Sequence, residues 1–331
     1  MALASQSAEQ ETHVTEGQAG VQGRSPSQIA WGRLKRDRVG MISLIVVLTY
    51  IVVALLAPVI TRLLGVDTNY NETLIGDGGM PKDTSFFHSA ISSDHLLGIE
   101  PVTGRDILAE LLYGSRISLL VSFAGTLLTG VIGVTIGIIA GYSGGRLDSL
   151  LGRLMDLILS FPQLILLIAL SPIVVQLFDK KLHWEGNTAR IAFLISVFGV
   201  FGWPYLARII RGQVLSLRER EFVEAAISMG ASTRRILFKE MLPNLWVPIL
   251  VYSSLLLPSY IGAEAALSFL GVGVSEPTPT WGNMLSNSVT FYRVAPLYLF
   301  IPGTALFILV LAFNLLGDSI RDALDPRAAR S

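Results

Sequence analysis

The residues best suited to do chemistry in this sequence lie in a polar segment, residues 221–243, which separates two strongly apolar stretches. Phe222, Ala225, Ala226 and Met229 occur at i, i+3, i+4 and i+7, the spacing of one apolar face of a helix. Gly230 follows and is expected to end that helix. The segment therefore offers non-covalent chemistry, the binding of another protein through a helix face.

A second short helix is predicted to begin at Ser232 or Thr233, whose hydroxyl groups suit an N-cap. Pro243 then opens the next apolar run. The result would be two short helices that meet at a turn and stand clear of the membrane. Periodicity alone leaves equal room for a second interpretation, an ordinary surface hairpin between membrane helices.

Glu264 is the other residue of chemical interest, because a carboxylate beside an apolar run is costly in lipid unless it faces protein, water or a partner. One interpretation is a gate or a residue of a transport pathway. The other is a carboxylate at a helix end, in the outer membrane interface. The uncharged sequence AALSFLGVGVS that follows leaves both interpretations open.

Catalytic sites are not expected in this chain. It has no cysteine, and its four histidines, His13, His88, His95 and His183, lack partners at metal-ligand spacing. The sequence contains no Gly-Lys dipeptide, and so no phosphate-binding P-loop, and no HExxH motif. No catalytic residue, cofactor or metal ligand is therefore predicted, and the energy for any uphill transport must enter from elsewhere.

The elements that position these residues are membrane helices. Hydrophobic residues make up 51% of the chain and charged residues only 15%. A helix needs about 20 apolar residues to cross the hydrocarbon. Uncharged runs of suitable length predict six transmembrane helices in an all-α integral membrane protein, at residues 41–60, 117–145, 157–178, 191–207, 241–263 and 294–317.

The distribution of Lys and Arg predicts the orientation, because cytoplasmic flanks carry the excess. With the N-terminus inside, 17 of the 25 basic residues fall on the inner side and 8 on the outer side. Both termini and the 221–243 segment are then cytoplasmic.

The chain divides into five regions by composition: a polar, disordered tail, a basic flank with the first helix, an external loop, a five-helix core that contains a polar loop at 217–243, and a second tail. Their residues are 1–28, 29–60, 61–116, 117–317 and 318–331. The external loop is interpreted either as a lid or seat for an external partner or as a simple cap on the helix ends. Its last part, with leucines at helical spacing near residues 107–112, is predicted to lie flat on the outer surface.

Small residues and prolines mark particular helices. The second helix contains the GxxxG pair Gly133 and Gly137, which predicts a place in the middle of the bundle. The piece RLDSLLGRLMD that follows it is predicted to be an amphipathic elbow on the cytoplasmic side. Pro162, Pro172 and Pro204 predict kinks or breaks at membrane depth.

The 221–243 segment resembles the EAA loop of permease subunits of bacterial ABC importers. The matching residues, which would contact the ATPase, are Glu224, Ala225, Ala226, Gly230, Leu242 and Pro243. One departure is Glu240-Met241, where an aliphatic residue usually precedes Leu-Pro. The stretches GRDILAELLYGSRISL, GRLDSLLGRLMDLILSFPQL, EAALSFLGVGV with PTPTWGNML, and FNLLGDSIRDALDPR are similar to the dipeptide, oligopeptide and nickel branch of these permeases, in its C-type subunit.

The resemblance implies a heteromeric importer in the bacterial cytoplasmic membrane with the type I permease fold. This chain would stand in lipid beside a second, B-type permease, with two cytoplasmic ATP-binding subunits that hold ATP and magnesium and an external substrate-binding protein. No nucleic acid is implied. Two other functions stay open from the residues alone: a stand-alone secondary carrier or channel, and a non-transporting membrane scaffold.

Overall fold

The computed structural model describes residues 26–82, 90–184 and 186–325. Most of the tail 1–28, together with His13 and His88, lies outside the described residues. The described chain is built from helices, named here in chain order. They are α1 (Pro26–Leu34), α2 (Arg38–Leu64), α3 (Ile107–Ser143), α4 (Gly145–Leu159), α5 (Gln163–Leu182), α6 (Asn187–Leu217), α7 (Glu221–Ser228), α8 (Thr233–Phe269), α9 (Trp281–Ser288) and α10 (Pro296–Leu324).

Six of these helices, α2, α3, α5, α6, α8 and α10, are long and apolar enough to cross a membrane. Each contains or overlaps one of the six uncharged runs in the sequence. The prediction of an all-α protein with six transmembrane helices is confirmed.

Helix α3 lies in the middle of the bundle, where its small residues let α6 approach closely. A Cβ atom added at Gly133 would lie 3.0 Å from the Trp203 carbonyl oxygen, and one added at Gly137 would lie 2.7 Å from the Ala207 carbonyl oxygen. In lipid such close backbone contact is a main source of helix association. The central position predicted from the GxxxG pair is confirmed.

Helix α4 turns back against the bundle after the positive φ angles of Gly144 and Gly145. Its buried Met155 belongs to an apolar cluster shared with α3 and α6. Two ion pairs hold its polar side to α6: Asp148 with Arg211 at 2.5 Å and Asp156 with Arg208 at 2.5 Å. The amphipathic piece is confirmed as a separate helix.

The three prolines differ in their effects. Pro162 lies in the break between α4 and α5, as predicted, because proline cannot donate the hydrogen bond that would continue the helix. Pro172 and Pro204 lie inside the continuous helices α5 and α6.

The last part of the external loop differs from the prediction of a surface helix. Residues 107–112 form the first turns of α3, and Ile107 is fully buried. Asp106 starts the helix as its N-cap, since its carboxylate accepts a 2.9 Å hydrogen bond from the Ala109 amide. The loop therefore ends at Asp106, ten residues earlier than the predicted boundary at 116.

Candidate functional site

The first half of the 221–243 segment is the short helix α7, which ends in a Schellman motif. The Ala231 amide donates to the Ala226 carbonyl at 3.0 Å, and the Gly230 amide donates to the Ile227 carbonyl at 2.9 Å. In this motif the residue that follows the last helical residues adopts a left-handed backbone conformation. Gly230 does so, with φ +76°. Gly230 thus forms the turn that the sequence predicts.

The apolar face of α7 is divided between the inside of the chain and solvent. Val223 and Ala226 are buried, in one cluster with residues of α3, α6 and α8. Phe222 and Met229 are exposed, at 39% and 78%, and Ala225 is exposed between them. The predicted face is therefore not one docking surface, because the Ala226 methyl group packs within this chain.

The second half of the segment continues into the fifth transmembrane helix. After one α-helical turn the chain forms a π-helical turn, Ile236–Met241, and then a 3-10 turn, Leu242–Leu245. The Leu242 amide donates to the Leu237 carbonyl, five residues back, as in a π-helix, and Pro243, which follows, has no amide hydrogen to donate. The helix begins at Thr233 with Ser232 in the N-cap position, as predicted, but it continues into the transmembrane helix and is therefore not separate.

The outward side of the segment carries charge that is not neutralised within the described residues. Glu224 is exposed and has no ion pair there, whereas Arg235 lies 3.7 Å from Glu240. Pro243 is exposed and Leu242 is half-buried. These side chains give the segment an outer surface that is both apolar and charged.

Glu264 lies inside the bundle, with no exposed surface. Its carboxylate accepts a 2.6 Å hydrogen bond from the Ser118 hydroxyl of α3 and a 2.9 Å bond from the Ser268 hydroxyl one turn along α8. Ser268 in turn accepts a bond from the Val274 amide. The carboxylate therefore joins α3, α8 and the connection that follows α8.

A buried ionic cluster at the end of the bundle away from the 221–243 segment was not predicted from the sequence. Its centre is Arg105, whose guanidinium contacts Glu100 at 2.6 Å, Glu110 at 2.9 Å and Glu276 at 3.0 Å. Burial lowers the pKa of Arg105. The hydrogen bond to Glu100 and the charges of Glu110, Glu100 and Glu276 raise it by more, so the pKa lies above its ordinary value and Arg105 stays charged. Tyr70 lies over the guanidinium, with 5.2 Å from its ring centroid to Cζ.

This cluster fastens the external loop to the helix ends. Glu100 also accepts hydrogen bonds from the Tyr298 hydroxyl of α10 and from Asn287. The loop is thus bound to the starts of α3 and α10 and to the connection after α8. The five-residue spacing of Glu100, Arg105 and Glu110 is visible in the sequence, but the contributions of Asn287 and Tyr298 are not.

Comparison with known proteins gives two family matches. A family described as binding-protein-dependent transport system inner membrane component matches residues 133–330. A family described as the N-terminal TM domain of oligopeptide transport permease C matches residues 25–75.

Individual relatives match over almost the whole chain. A dipeptide transport system permease protein of Alkalihalophilus pseudofirmus is 37% identical over 303 residues, which are 92% of this chain and 90% of that protein. Oligopeptide transport system permease proteins of Haemophilus influenzae and Escherichia coli are 36% and 35% identical, each over 93% of this chain and over 90% and 93% of those proteins.

The fold is shared with a solved structure, an inward facing conformation of the MetNI methionine ABC transporter. The TM-score is 0.53 at 21% identity, over 66% of this chain and 98% of the matched chain.

Proposed function

This chain belongs to the family of binding-protein-dependent transport system inner membrane components, and we propose that it forms, with a second permease, the translocation pore of an ATP-driven peptide importer. Its fold is that of an ABC importer permease, and it is a multi-pass inner membrane protein. Di- or oligopeptides are the proposed substrates because the relatives that match most of the chain are dipeptide and oligopeptide permeases.

The proposed partners are a second permease subunit, two cytoplasmic ATPase subunits and an external substrate-binding protein. The sequence has no Gly-Lys dipeptide and therefore no P-loop. ATP and magnesium are accordingly assigned to the ATPase subunits, and this chain holds no cofactor in the proposal. Its contribution is mechanical: closure of the ATPases moves its helices and switches the pore between its two openings.

The geometry of the 221–243 segment is the observation that carries this role. Phe222, Ala225 and Met229 form an exposed apolar stripe, with Glu224 beside it, while Val223 on the other side is buried in the bundle. A partner that binds the stripe therefore contacts a helix whose other side packs on α3 and α6. We assign contact with the ATPase to Glu224 and Ala225. We assign the angle of the turn, and the transmission of ATPase movement to the transmembrane helices, to Ala226, Gly230, Leu242 and Pro243.

The proposed orientation places this segment and both termini in the cytoplasm. Asp37, before α2, accepts a 2.5 Å hydrogen bond from the Ser319 hydroxyl near the end of α10, so the start of α2 and the end of α10 share one side of the bundle. Arg218, which precedes the segment, donates to the Tyr142 carbonyl at the end of α3. The excess of basic residues on this side supports a cytoplasmic position.

The test is reconstitution of this chain with the other subunits in proteoliposomes, with peptide uptake and ATP hydrolysis both measured. Glu224→Lys reverses the charge beside the stripe, and Gly230→Pro cannot adopt the left-handed turn. We expect each to lower substrate-stimulated hydrolysis at least about tenfold, the equivalent of about 1.4 kcal/mol of lost coupling, while the chain still inserts. Asp322→Lys, an exposed charge reversal near the end of α10 and outside the 221–243 segment, is the matched control and should keep full stimulation.

Full stimulation in both variants would contradict the docking role. Peptide uptake by this chain without ATPase subunits, driven by an ion gradient, would instead support a secondary carrier. The role of Glu264 as a pathway or gate residue stays a prediction; its burial between two serines favours a structural role in this conformation.

A further inference from the structure

We propose that a groove between α2 and α3, at the end of the bundle that carries the external loop, binds one anionic phospholipid. The groove has a volume of about 440 Å³ and opens to the surface of the chain. Ile51 and Leu55 of α2 form one wall, and Leu120 and Phe123 of α3 form the other. This inference needs only that the chain spans a bilayer, and it does not depend on the transported substrate.

One end of the groove is polar and cationic. Arg116 is exposed there and has no ion pair or hydrogen bond among the described residues, unlike Arg105, Arg208 and Arg211, which all pair with carboxylates. Tyr113, three residues earlier on the same face of α3, also lines this end. No acidic side chain lines the groove. This end therefore offers a guanidinium and a phenol hydroxyl to an anionic oxygen group.

The remainder of the groove is apolar and lies deeper in the membrane. Leu120 is 53% exposed, Phe123 41% and Leu55 70%, so the walls present aliphatic and aromatic surface outward. From Tyr113 to Phe123 the helix rises roughly 15 Å, at about 1.5 Å per residue. That length is about half of the roughly 30 Å hydrocarbon core, the thickness of one leaflet.

The order of polarity along the groove matches a phospholipid. A lipid of the leaflet on the loop side places its phosphate near the membrane surface and its acyl chain toward the centre. Arg116 lies at the level of the phosphate and Phe123 at the level of the acyl chain. The guanidinium forms strong charge-assisted hydrogen bonds with phosphate oxygens. In the proposed orientation this is the outer leaflet.

Two other occupants fit less well. A peptide would bury two backbone polar groups per residue against walls that cannot hydrogen-bond to them, which is costly in an apolar environment. A helix of the second permease would need an acidic residue at the level of Arg116 to avoid a buried, unpaired charge. An acyl chain has neither requirement.

The experiment compares lipid binding to the purified full-length chain in a neutral detergent, by native mass spectrometry and by thermal unfolding. The probes are phosphatidylglycerol and phosphatidylcholine with identical acyl chains. We expect saturable binding of one phosphatidylglycerol that raises the unfolding midpoint. Arg116→Gln should weaken that binding about tenfold, whereas Arg116→Lys should retain most of it. Arg62→Gln removes an exposed arginine at the same end of the bundle, outside the groove, and should bind as the unchanged chain does.

Several results would overturn the proposal. Equal losses in Arg116→Gln and Arg62→Gln would show only a general attraction of anionic lipid to surface charge. Equal binding of phosphatidylcholine would show that the groove does not recognise the headgroup. Displacement of the lipid by a dipeptide would assign the groove to a peptide. Absence of bound lipid from the complex with the second permease would assign it to a helix of that permease. The Lys variant and the midpoints measured without lipid separate a binding defect from misfolding.

Discussion

Replacement of Arg105 by methionine should strongly destabilise the end of the bundle that carries the external loop. The Arg105 side chain is only 2% exposed, as are those of Glu100 and Glu110, which it contacts at 2.6 and 2.9 Å. Glu276, at 3.0 Å, is 40% exposed and keeps contact with water. The substitution keeps a side chain of similar length but removes the only cation within ion-pair distance of Glu100 and Glu110 among the described residues.

The magnitude follows from these burials. Removing one partner of a buried ion pair costs about 3–5 kcal/mol, because an uncompensated charge stays in a medium that solvates it poorly. The half-exposed pair with Glu276 adds less than about 1 kcal/mol. Loss of the Tyr70 ring contact adds about 0.5–1 kcal/mol. We therefore expect Arg105→Met to lower the free energy of unfolding by about 5 kcal/mol, most of it from Glu100 and Glu110.

The assay is reversible unfolding of the purified full-length chain in mixed micelles, followed by the fluorescence of its tryptophans. Trp281 is a suitable reporter, because it is buried and its indole N–H donates to the Leu111 carbonyl at 3.0 Å. The double variant Arg105→Met/Glu110→Gln removes one of the unpaired charges and should regain at least about 1 kcal/mol.

Arg105→Lys keeps the charge but not the forked geometry, and it should lie between the methionine variant and the unchanged chain. A cost below about 1 kcal/mol for Arg105→Met, or no recovery in the double variant with Glu110→Gln, would refute the view that a buried charge cluster fastens the loop.

Three further predictions concern the bundle itself. Gly137→Ala should cost about 1–3 kcal/mol of unfolding free energy, because its Cβ atom would collide with the α6 backbone; Gly130→Ala, whose Cβ meets nothing within 4 Å, is the control and should cost nothing. The hydrogen bond from Arg211 lowers the Asp148 pKa. The stability that this ion pair adds to the fold is therefore present above the ordinary pKa of aspartate and is lost as the pH falls through the lowered pKa. Asp148→Asn should therefore cost up to about 1 kcal/mol at pH 7, and the cost should shrink as the pH falls through the lowered pKa of Asp148. Glu264→Gln should keep peptide uptake within about twofold and cost no more than about 1.5 kcal/mol, and a large loss of uptake in a stably folded variant would restore the gate interpretation.

The features that the sequence predicted correctly depend on residues close together in the chain. Each transmembrane helix is a run of about 20 apolar residues, and hydropathy is a property of that run alone. The Gly230 turn is likewise local, since its two hydrogen bonds join residues no more than five positions apart. Gly133 and Gly137 share one face of their own helix, so their role in close packing was predictable even though the partner helix was not.

The tertiary structure decided which side chains meet. Ala225 and Ala226 are neighbours with the same side chain, and only the packing of α7 on the bundle makes one exposed and the other buried. Glu264 receives a hydrogen bond from Ser118, 146 positions away, and Arg105 pairs with Glu276, 171 positions away. Local spacing fixes which face of a helix a residue occupies. The partner of that face is set by how whole helices pack, because burial leaves a polar group only the donors and acceptors that the packing brings to it.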